Sequence, residues 1–369
     1  MAYVLPSLLQ PAIVNERVNQ LKVVDNVLQT HMGIQAGGPN VRQTPSRRGS
    51  VDVFNDTRII SAVSLPGTPA NVVAPNPVGN YAFQIPRIND SIPLPGEMLS
   101  QLRPIGGPVS SVDSSGMQYI ADQERYLKRQ ITCFREFQAA AVLRGSYSFS
   151  NSGGEYGGVQ HAFTGGSITV NYQIPSGNKT QLNMLGAGNI LTAGWQTAST
   201  QIVTHILNIN AAFIQLTGQG LADMWITSVV WNYIQNNTQV QTLAGSANTY
   251  YETIDRDLTT QNFVVVLKAI PWLRIHVTDN GLTVNGSFTK LVDDTAAAFT
   301  IPLTSDVVHL YECGEPVSEW QGMPSVFRYG EYYWITPTFN PTGYQLFNLF
   351  NGLPIVNVPK GIAYATVNF

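Results

Sequence analysis

The sequence predicts an α+β fold, and three observations carry that expectation. The stretch SSGMQYIADQERYLKRQITCFREFQAAAVLRG has the apolar spacing and end signals of one long helix. Runs such as SITVNYQI and WLRIHVT alternate with period two between Gly- and Pro-bearing turns, as strands do. Between residues 191 and 312 helical and strand patterns alternate, which points to a second, mixed region. At 369 residues and 40.3 kDa, the chain is long enough for one large domain or two to three smaller ones.

The first element is an amphipathic helix over residues 12–29. Val14, Val18, Leu21, Val24 and Leu28 share one helical face, and Gly33 ends the pattern. Residues 33–112 change character. Gly37, Gly38, Pro39, Pro45, Gly49, Pro66, Gly67, Pro69, Pro75, Pro77 and Gly79 punctuate short β-rich runs such as VDVF and TRIISAVSL. This reads as a long extended hairpin. Exposed strands of that length need a cover, and a second copy of the chain is the expected one.

The long helix is expected over 115–144, capped by Ser114 or Ser115 and ended by Gly145. Its buried stripe should hold Ile120, Leu127, Ile131, Phe134, Phe137 and Ala141, with Cys133 beside it. The mixed charges Asp122, Glu124, Arg125, Lys128, Arg129, Arg135 and Glu136 read as a solvated face. Residues 146–180 form a hairpin around SGGEYGG. Ile202, Ile206, Ile209, Phe213 and Leu216 then mark a helix ended by Gly218 and Gly220.

A strand MWIT, a helix SVVWNYIQ, a polar connection to Asn262 and the strands FVVVLKAI, WLRIHVT, AFTIPL and VVHLYE follow. The closing strands SVFRYGEYYWITPTF, LPIVNV and IAYATVNF are expected back in the sheet of the first compact region.

Composition narrows the function. Hydrophobic residues are an ordinary 44%, but charged residues are 12% where about 25% is usual. A surface so poor in charge suggests cover by neighbouring copies, or an uncharged secreted β protein. The net charge of -3 and pI of about 5.9 give no electrostatic footprint for nucleic acid. Arg42, Arg47 and Arg48 do cluster, in a stretch read either as a solvated loop or as an intersubunit clamp.

Cys133 and Cys313, without a CxxC or a nearby His, read as buried free thiols. The opening MAYVLPSLLQPAIVNERV has no basic n-region and no small-residue cleavage site, and no run of 18 apolar residues occurs. The reading is a chain made and kept in a cytosol, without a membrane.

Motifs for chemistry are weak. GxxxxGK[ST], GxSxG, HExxH and an EF-hand loop are absent from the sequence. Gly186-Ala187-Gly188 lacks the third glycine of a dinucleotide fingerprint. His31, His161, His205, His276 and His309 are scattered singly. Glu252, Asp255 and Asp257, with Arg256 between the aspartates, read as an exposed loop, and Asp293 and Asp294 as neighbours of a hairpin tip. The expectation is no catalytic residue, cofactor or metal.

Three strings carry a family resemblance. EFQAAAVLRGSYSFS (136–150) resembles the spine-helix exit of the lambda-type major capsid proteins of tailed bacteriophages, family E. RRGSVDVFNDTRIISAVSLP (47–66) is similar to that family's Arg-Gly-rich entry into its extended loop. RYGEYYWITPTFNP followed by LPIVNVPKGIAYATV resembles its Tyr-x-x-x-Trp strand, Asn-Pro turn and last strand.

The resemblance implies the shell fold of tailed phages and herpesviruses: an N-terminal arm (1–32), an extended loop (33–112), a peripheral domain (113–190 and 313–369) with its spine helix at 115–144, and an axial domain (191–312). It implies an icosahedral head built from pentamers and hexamers of this chain, assembled in the host bacterial cytoplasm around double-stranded DNA without sequence-specific binding. A portal, a separate scaffold protein and a cement or decoration protein are the further partners it suggests.

No lysine lies between Lys22 and Lys128, so a lysine crosslink on the loop is not expected. Arg42, Arg47, Arg48, Phe54, Arg58 and Ile60 are the expected intersubunit contacts, and Trp320 and Trp334 the expected packing residues of the peripheral region. The competing readings are a tail-tube or decoration protein, without the long helix, and a carbohydrate-binding or hydrolytic β protein, which needs a cleft with convergent acids.

Overall fold

The computed structural model describes residues 11–20, 27–54, 78–95, 114–149, 155–156, 159–160, 168–243, 250–257, 260–284, 287–317, 325–339 and 342–369. Two compact units emerge: one drawn from 1–49, 84–138 and 309–355, the other from 50–83, 139–308 and 356–369.

The first unit opens with helices α1 (Pro11–Gln20) and α2 (Val27–His31). Val14, Val18 and Leu28 are buried as their spacing predicts, while Leu21 and Val24 lie outside the described residues. Gly33 has φ +67°, a left-handed conformation that glycine adopts without steric cost, and it ends the helical pattern.

Helix α3 (Ser114–Arg144) runs one residue longer at its start than expected and stops at Gly145, φ +90°. Ile120, Leu127, Ile131 and Ala141 are buried; Phe134 and Phe137 are half-buried. The solvated face is a correction: Asp122, Arg125 and Arg129 are exposed, but Glu124, Arg135 and Glu136 are buried. Every side chain from Gln138 to Leu143 is also buried, so the second half of α3 is packed on all sides and its charges must be paired internally.

Two three-stranded sheets and a short pair complete this unit. Val41–Thr44 runs parallel to Val308–Cys313, Arg42 opposite Tyr311, and Gly352–Val356 flanks the latter. Glu331–Phe339, Thr342–Phe350 and Ser91–Pro95 form an antiparallel sheet with Trp334 opposite Phe347. Glu315–Val317 pairs with Val326–Arg328.

The stretch 33–112 is thus not one hairpin. Val41–Thr44 and Ser91–Pro95 close these sheets, and among the described residues of this stretch only Arg48–Phe54 and Val78–Gln84 pair with each other. Ile85, Pro86 and Leu94 are buried, so the Gly and Pro punctuation hid genuine core residues.

The second unit holds a seven-stranded mixed sheet, in the order Tyr251–Arg256, Phe263–Leu267, Ile270–Val277, Asp223–Ile226, Ala296–Thr300, Ile362–Thr366, Lys179–Thr180. Its central strands Asp223–Ile226 and Ala296–Thr300 are buried at every position, as strands covered on both faces are. Helices α4 (Ile202–Thr217), α5 (Ser228–Gln235) and α6 (Thr238–Leu243) belong to this unit. Gly218 (φ +77°) ends α4 in the left-handed conformation, as expected.

Several elements differ from the sequence reading. The run FVVVLKAI breaks at Lys268 into two antiparallel strands, and the polar connection before Asn262 contains α6 and the strand Tyr251–Arg256. Thr342–Phe350 is a further strand. The last strand, Ile362–Thr366, pairs with Ala296–Thr300 in the second unit rather than returning to the first. Its alanines explain this: Ala363 and Ala365 lie opposite Phe299 and Ala297, where a larger side chain would not fit a fully buried ladder. The hairpin Ser146–Phe149 with Ile168–Asn171 is as expected.

Candidate assembly surface

Of the expected contact residues, Arg42, Arg47 and Arg48 sit on and just after the strand Val41–Thr44, at the start of Arg48–Phe54. The approach is fixed by local bonds. The Asn40 amide donates to the Gly33 carbonyl (3.0 Å), the Asn40 side chain donates to the Met32 carbonyl (2.6 Å), and the Leu310 amide donates to the Asn40 carbonyl (2.8 Å). Val41–Thr44 is thereby laid along Val308–Cys313 as an edge strand. The Ser46 hydroxyl then donates to the Arg48 carbonyl (2.6 Å), and the Ile85 amide to the Arg47 carbonyl (2.8 Å).

Arg42, Arg47 and Arg48 are all exposed and make no ion pair with any described residue. A fourth arginine that sequence reasoning missed, Arg87, is 2.5 Å from Glu315, whose other oxygen accepts from the Asn351 amide (2.8 Å). Phe54 ends its strand, with its side chain outside the described residues, as are Arg58, Ile60 and Trp320.

Two titratable neighbours lie under this basic edge. Burial, reinforced by the Arg42 charge, pushes His309 down to about 4. Burial pushes the Cys313 thiol up, against the pull of Arg47. Both groups are therefore neutral near pH 7, His309 as imidazole and Cys313 as thiol.

Beneath the surface the unit is held by buried ion pairs. Arg135 lies 2.6 Å from Glu331 and 3.6 Å from Glu312, with its guanidinium carbon 4.3 Å above the Phe350 ring. The Tyr333 hydroxyl donates to Glu331. Burial lifts the Glu312 carboxyl, against Arg135, and pushes the Tyr333 hydroxyl well above its usual range.

The N-terminal helices are clasped to this frame. Arg17 pairs with Glu124, and Lys128 donates to the Val18 carbonyl (2.5 Å). The Asn15 side chain bonds both backbone groups of Tyr333 (2.6 and 3.0 Å), and Glu136 accepts from the Leu28 and Gln29 amides (2.7 and 3.0 Å).

Trp334 is buried as expected, with Val317 and Leu349, in a stack that includes Phe347 (5.1 Å, 7°) and Tyr332 (6.0 Å, 23°). In the second unit Asp223 accepts from Arg274 (2.9 and 3.0 Å) and lies 2.8 Å from His276, which stacks on Trp225 at 4.0 Å. Parallel register sets this arrangement, Asp223 opposite Arg274 and Trp225 opposite His276. Sequence reasoning missed it, since the two strands are 44 residues or more apart along the chain.

No protein-family model matches the sequence, and no curated protein matches it. Solved structures do share its fold. A prophage protein of Escherichia coli CFT073, assigned as its capsid protein, aligns over 97% of this chain and 99% of its own at 12% identity, with a TM-score of 0.57. A phage-related protein from Bordetella bronchiseptica RB50 aligns over 97% and 96% at 10% identity, with a TM-score of 0.53. The chain has the fold of these two proteins along essentially its whole length.

Proposed function

We propose that this chain is a major capsid protein of a tailed bacteriophage, which assembles through pentamers and hexamers into an icosahedral head enclosing double-stranded DNA. The observation that carries the reading is the end-to-end fold match with the prophage protein assigned as a capsid protein, which leaves 3% of this chain and 1% of that one unaligned. On that likeness we read the function as structural rather than enzymatic.

The arrangement of charge supports it. In a chain of 12% charged residues, Arg42, Arg47 and Arg48 are exposed on and beside one edge strand and form no ion pair with a described residue, while buried charges such as Arg135 and Glu136 have partners within the fold. Unpaired arginines beside an edge strand suit carboxylates or carbonyls on a neighbouring copy. The roles follow: residues 33–112 hold the loop laid on a neighbour, 113–190 and 313–369 the peripheral domain, 191–312 the axial domain. With no lysine between Lys22 and Lys128, the shell is held without a lysine crosslink on that loop.

The mild net charge of -3 fits a container that confines DNA without binding its sequence. A separate scaffold, a portal and a decoration protein are the partners of such a shell, and the host cytoplasm the place of assembly. The 31-residue α3 favours this reading over a tail-tube or decoration protein. Sedimentation velocity tests it: rings of five and six copies are expected, and a 40.3 kDa species alone at every concentration counts against it.

A further inference from the structure

His205 is the one titratable side chain of α4, and it lies inside the second unit at 5% exposure. Two side chains from the stretch before the helix reach its ring. The Trp195 indole N–H donates to Nδ1 (3.3 Å), and Thr192 Oγ1 lies 3.3 Å from Nε2. An indole N–H cannot accept, so the nitrogen facing it must keep its lone pair. The ring is therefore neutral, with its proton on Nε2, where it donates to the Thr192 hydroxyl.

A second proton on this ring would find no anion nearby. Residues 191–201 hold no Asp, Glu, Lys, Arg or further His, and neither does Ala296–Thr300 nor α6, which packs against α4. Pro359–Gly361, packed against the same helix, brings Lys360, a cation that opposes a charge on the ring. Tyr233 of α5 and Tyr364 of Ile362–Thr366 bond Asn368 and Asp293 instead. Burial lowers the His205 pKa, and a proton at Nδ1 would also set one N–H against another in a dry site.

The ring fastens more than its own helix. Trp195 is 0% exposed and meets Phe299 of the central strand Ala296–Thr300 edge-on (6.3 Å, 77°). Its amide donates to the Val367 carbonyl (2.7 Å), and the Val367 amide donates to the Thr295 carbonyl (2.8 Å). Gln196 Nε2 donates to the Phe369 carbonyl (2.8 Å), and the Thr200 hydroxyl closes the stretch on the Gly194 carbonyl (2.7 Å). Residues 194–200 and 367–369 are thus tied to each other, with Trp195 as the wedge that seats them on the sheet.

We propose that His205 is an acid-operated catch, whose protonation expels Trp195 and frees residues 191–200 and 367–369 while the seven-stranded sheet stays folded. The open form leaves the ring hydrated, with an ordinary histidine pKa of about 6.5, and the closed form holds it lower. The open form therefore takes up the proton first. The catch is closed above that range and weakens as the pH falls through and below it. It lies within one copy of the chain and works whether or not copies assemble.

Hydrogen exchange on the full chain tests this between pH 7.5 and 5, each rate corrected for the pH dependence of unstructured amides. The Trp195 and Val367 amides should lose protection severalfold on acidification, while those of Asp223–Ile226 hold theirs. His205→Gln keeps an acceptor for Trp195 and a donor for Thr192 but does not titrate, so its protection should be constant across the range. Trp195→Phe removes the opposing N–H and should shrink the loss at Val367, and it stands as the second variant should the glutamine form fold poorly. Protection that ignores pH in the unaltered chain, or that falls equally in His205→Gln, would overturn the catch. So would an undiminished loss in Trp195→Phe, or a loss spread evenly through the sheet.

Discussion

Arg135 lies 2.6 Å from Glu331 inside the first unit, both side chains less than a tenth exposed, and this pair ties α3 to the strand Glu331–Phe339. Glu312 shares the same guanidinium at 3.6 Å. Removing the cation leaves two buried carboxylates without compensation, which costs about 3–5 kcal/mol. Arg135→Leu should therefore lower stability in urea by about that amount, and Glu312→Gln by much less, because Glu312 is the more weakly held partner. Equal losses would show that the cluster is not organised around Arg135.

Glu136 is the anchor of α2. Its carboxylate accepts from the Leu28 and Gln29 amides, which no helical carbonyl can reach at that end. Charge-assisted bonds contribute about 1.5–3 kcal/mol each. Glu136→Ala should accelerate hydrogen exchange at Leu28 and Gln29 well before it affects the seven-stranded sheet of the second unit. Unchanged protection at those two amides would mean that packing alone holds α2.

Acid should destabilise the first unit through His309. Its folded value is depressed to about 4 against 6.5 in the unfolded chain, so the unfolded state takes up a proton first. The stability it contributes is present above pH 6.5 and is lost as the pH falls toward 4, up to roughly 3 kcal/mol in all. Glu312 and Glu124 act with the opposite sign, since burial raises their folded values and folding gains as they protonate. Subtracting the stability–pH curve of His309→Asn from that of the native sequence isolates the histidine. A flat difference between pH 4 and 6.5 would refute it.

Two glycines with left-handed backbones should respond differently to alanine. A Cβ at Gly330 (φ +70°) would come within 2.4 Å of the Glu312 carboxylate, while one at Gly37 (φ +67°) meets nothing within 4 Å. Gly37→Ala should cost only the conformational penalty, about 1–2 kcal/mol. Gly330→Ala adds displacement of a buried carboxylate and should melt distinctly lower.

The arginines of the basic edge should matter to assembly and not to the folded chain. Arg47→Glu with Arg48→Glu reverses two exposed charges that pair with no described residue, so the melting temperature should stay within about a degree or two, consistent with surface changes of ±0.5 kcal/mol. Light scattering should show assembly weakened severalfold. Normal assembly would leave these arginines as a solvated loop.

Much of this was legible in the sequence because the signals were local. The α3 stripe, the glycine stops at Gly33, Gly145 and Gly218, and the hairpin after α3 all depend on neighbours a few residues away. What was not legible depends on distant pairing. Glu124, Arg135 and Glu136 look like ordinary surface charges until Arg17, Glu331 and the α2 amides, 107 or more residues away, are brought beside them. The placement of Ile362–Thr366 is likewise a matter of which buried ladder accepts alanine.

Of the Gly and Pro punctuation of 33–112, Gly37 and Pro39 fall in turns, but Gly49 and Gly79 lie inside strands, and the pattern concealed two strands that belong to sheets of the first unit. Excising residues 41–95 would therefore remove the buried Ile85 and Leu94, so the sharper excision joins Phe54 to Val78 and deletes only 55–77. Of the candidate contacts, Arg42, Arg47 and Arg48 gather at one edge, and Arg87 was invisible in sequence because its partner Glu315 is 228 residues on.

The most direct test of the whole account is negative-stain electron microscopy of the chain expressed together with the genes that neighbour its own. Closed icosahedral shells, with rings of five or six when the chain is expressed alone, are the predicted result. Dispersed monomers under both conditions would contradict the claim that this fold builds a shell.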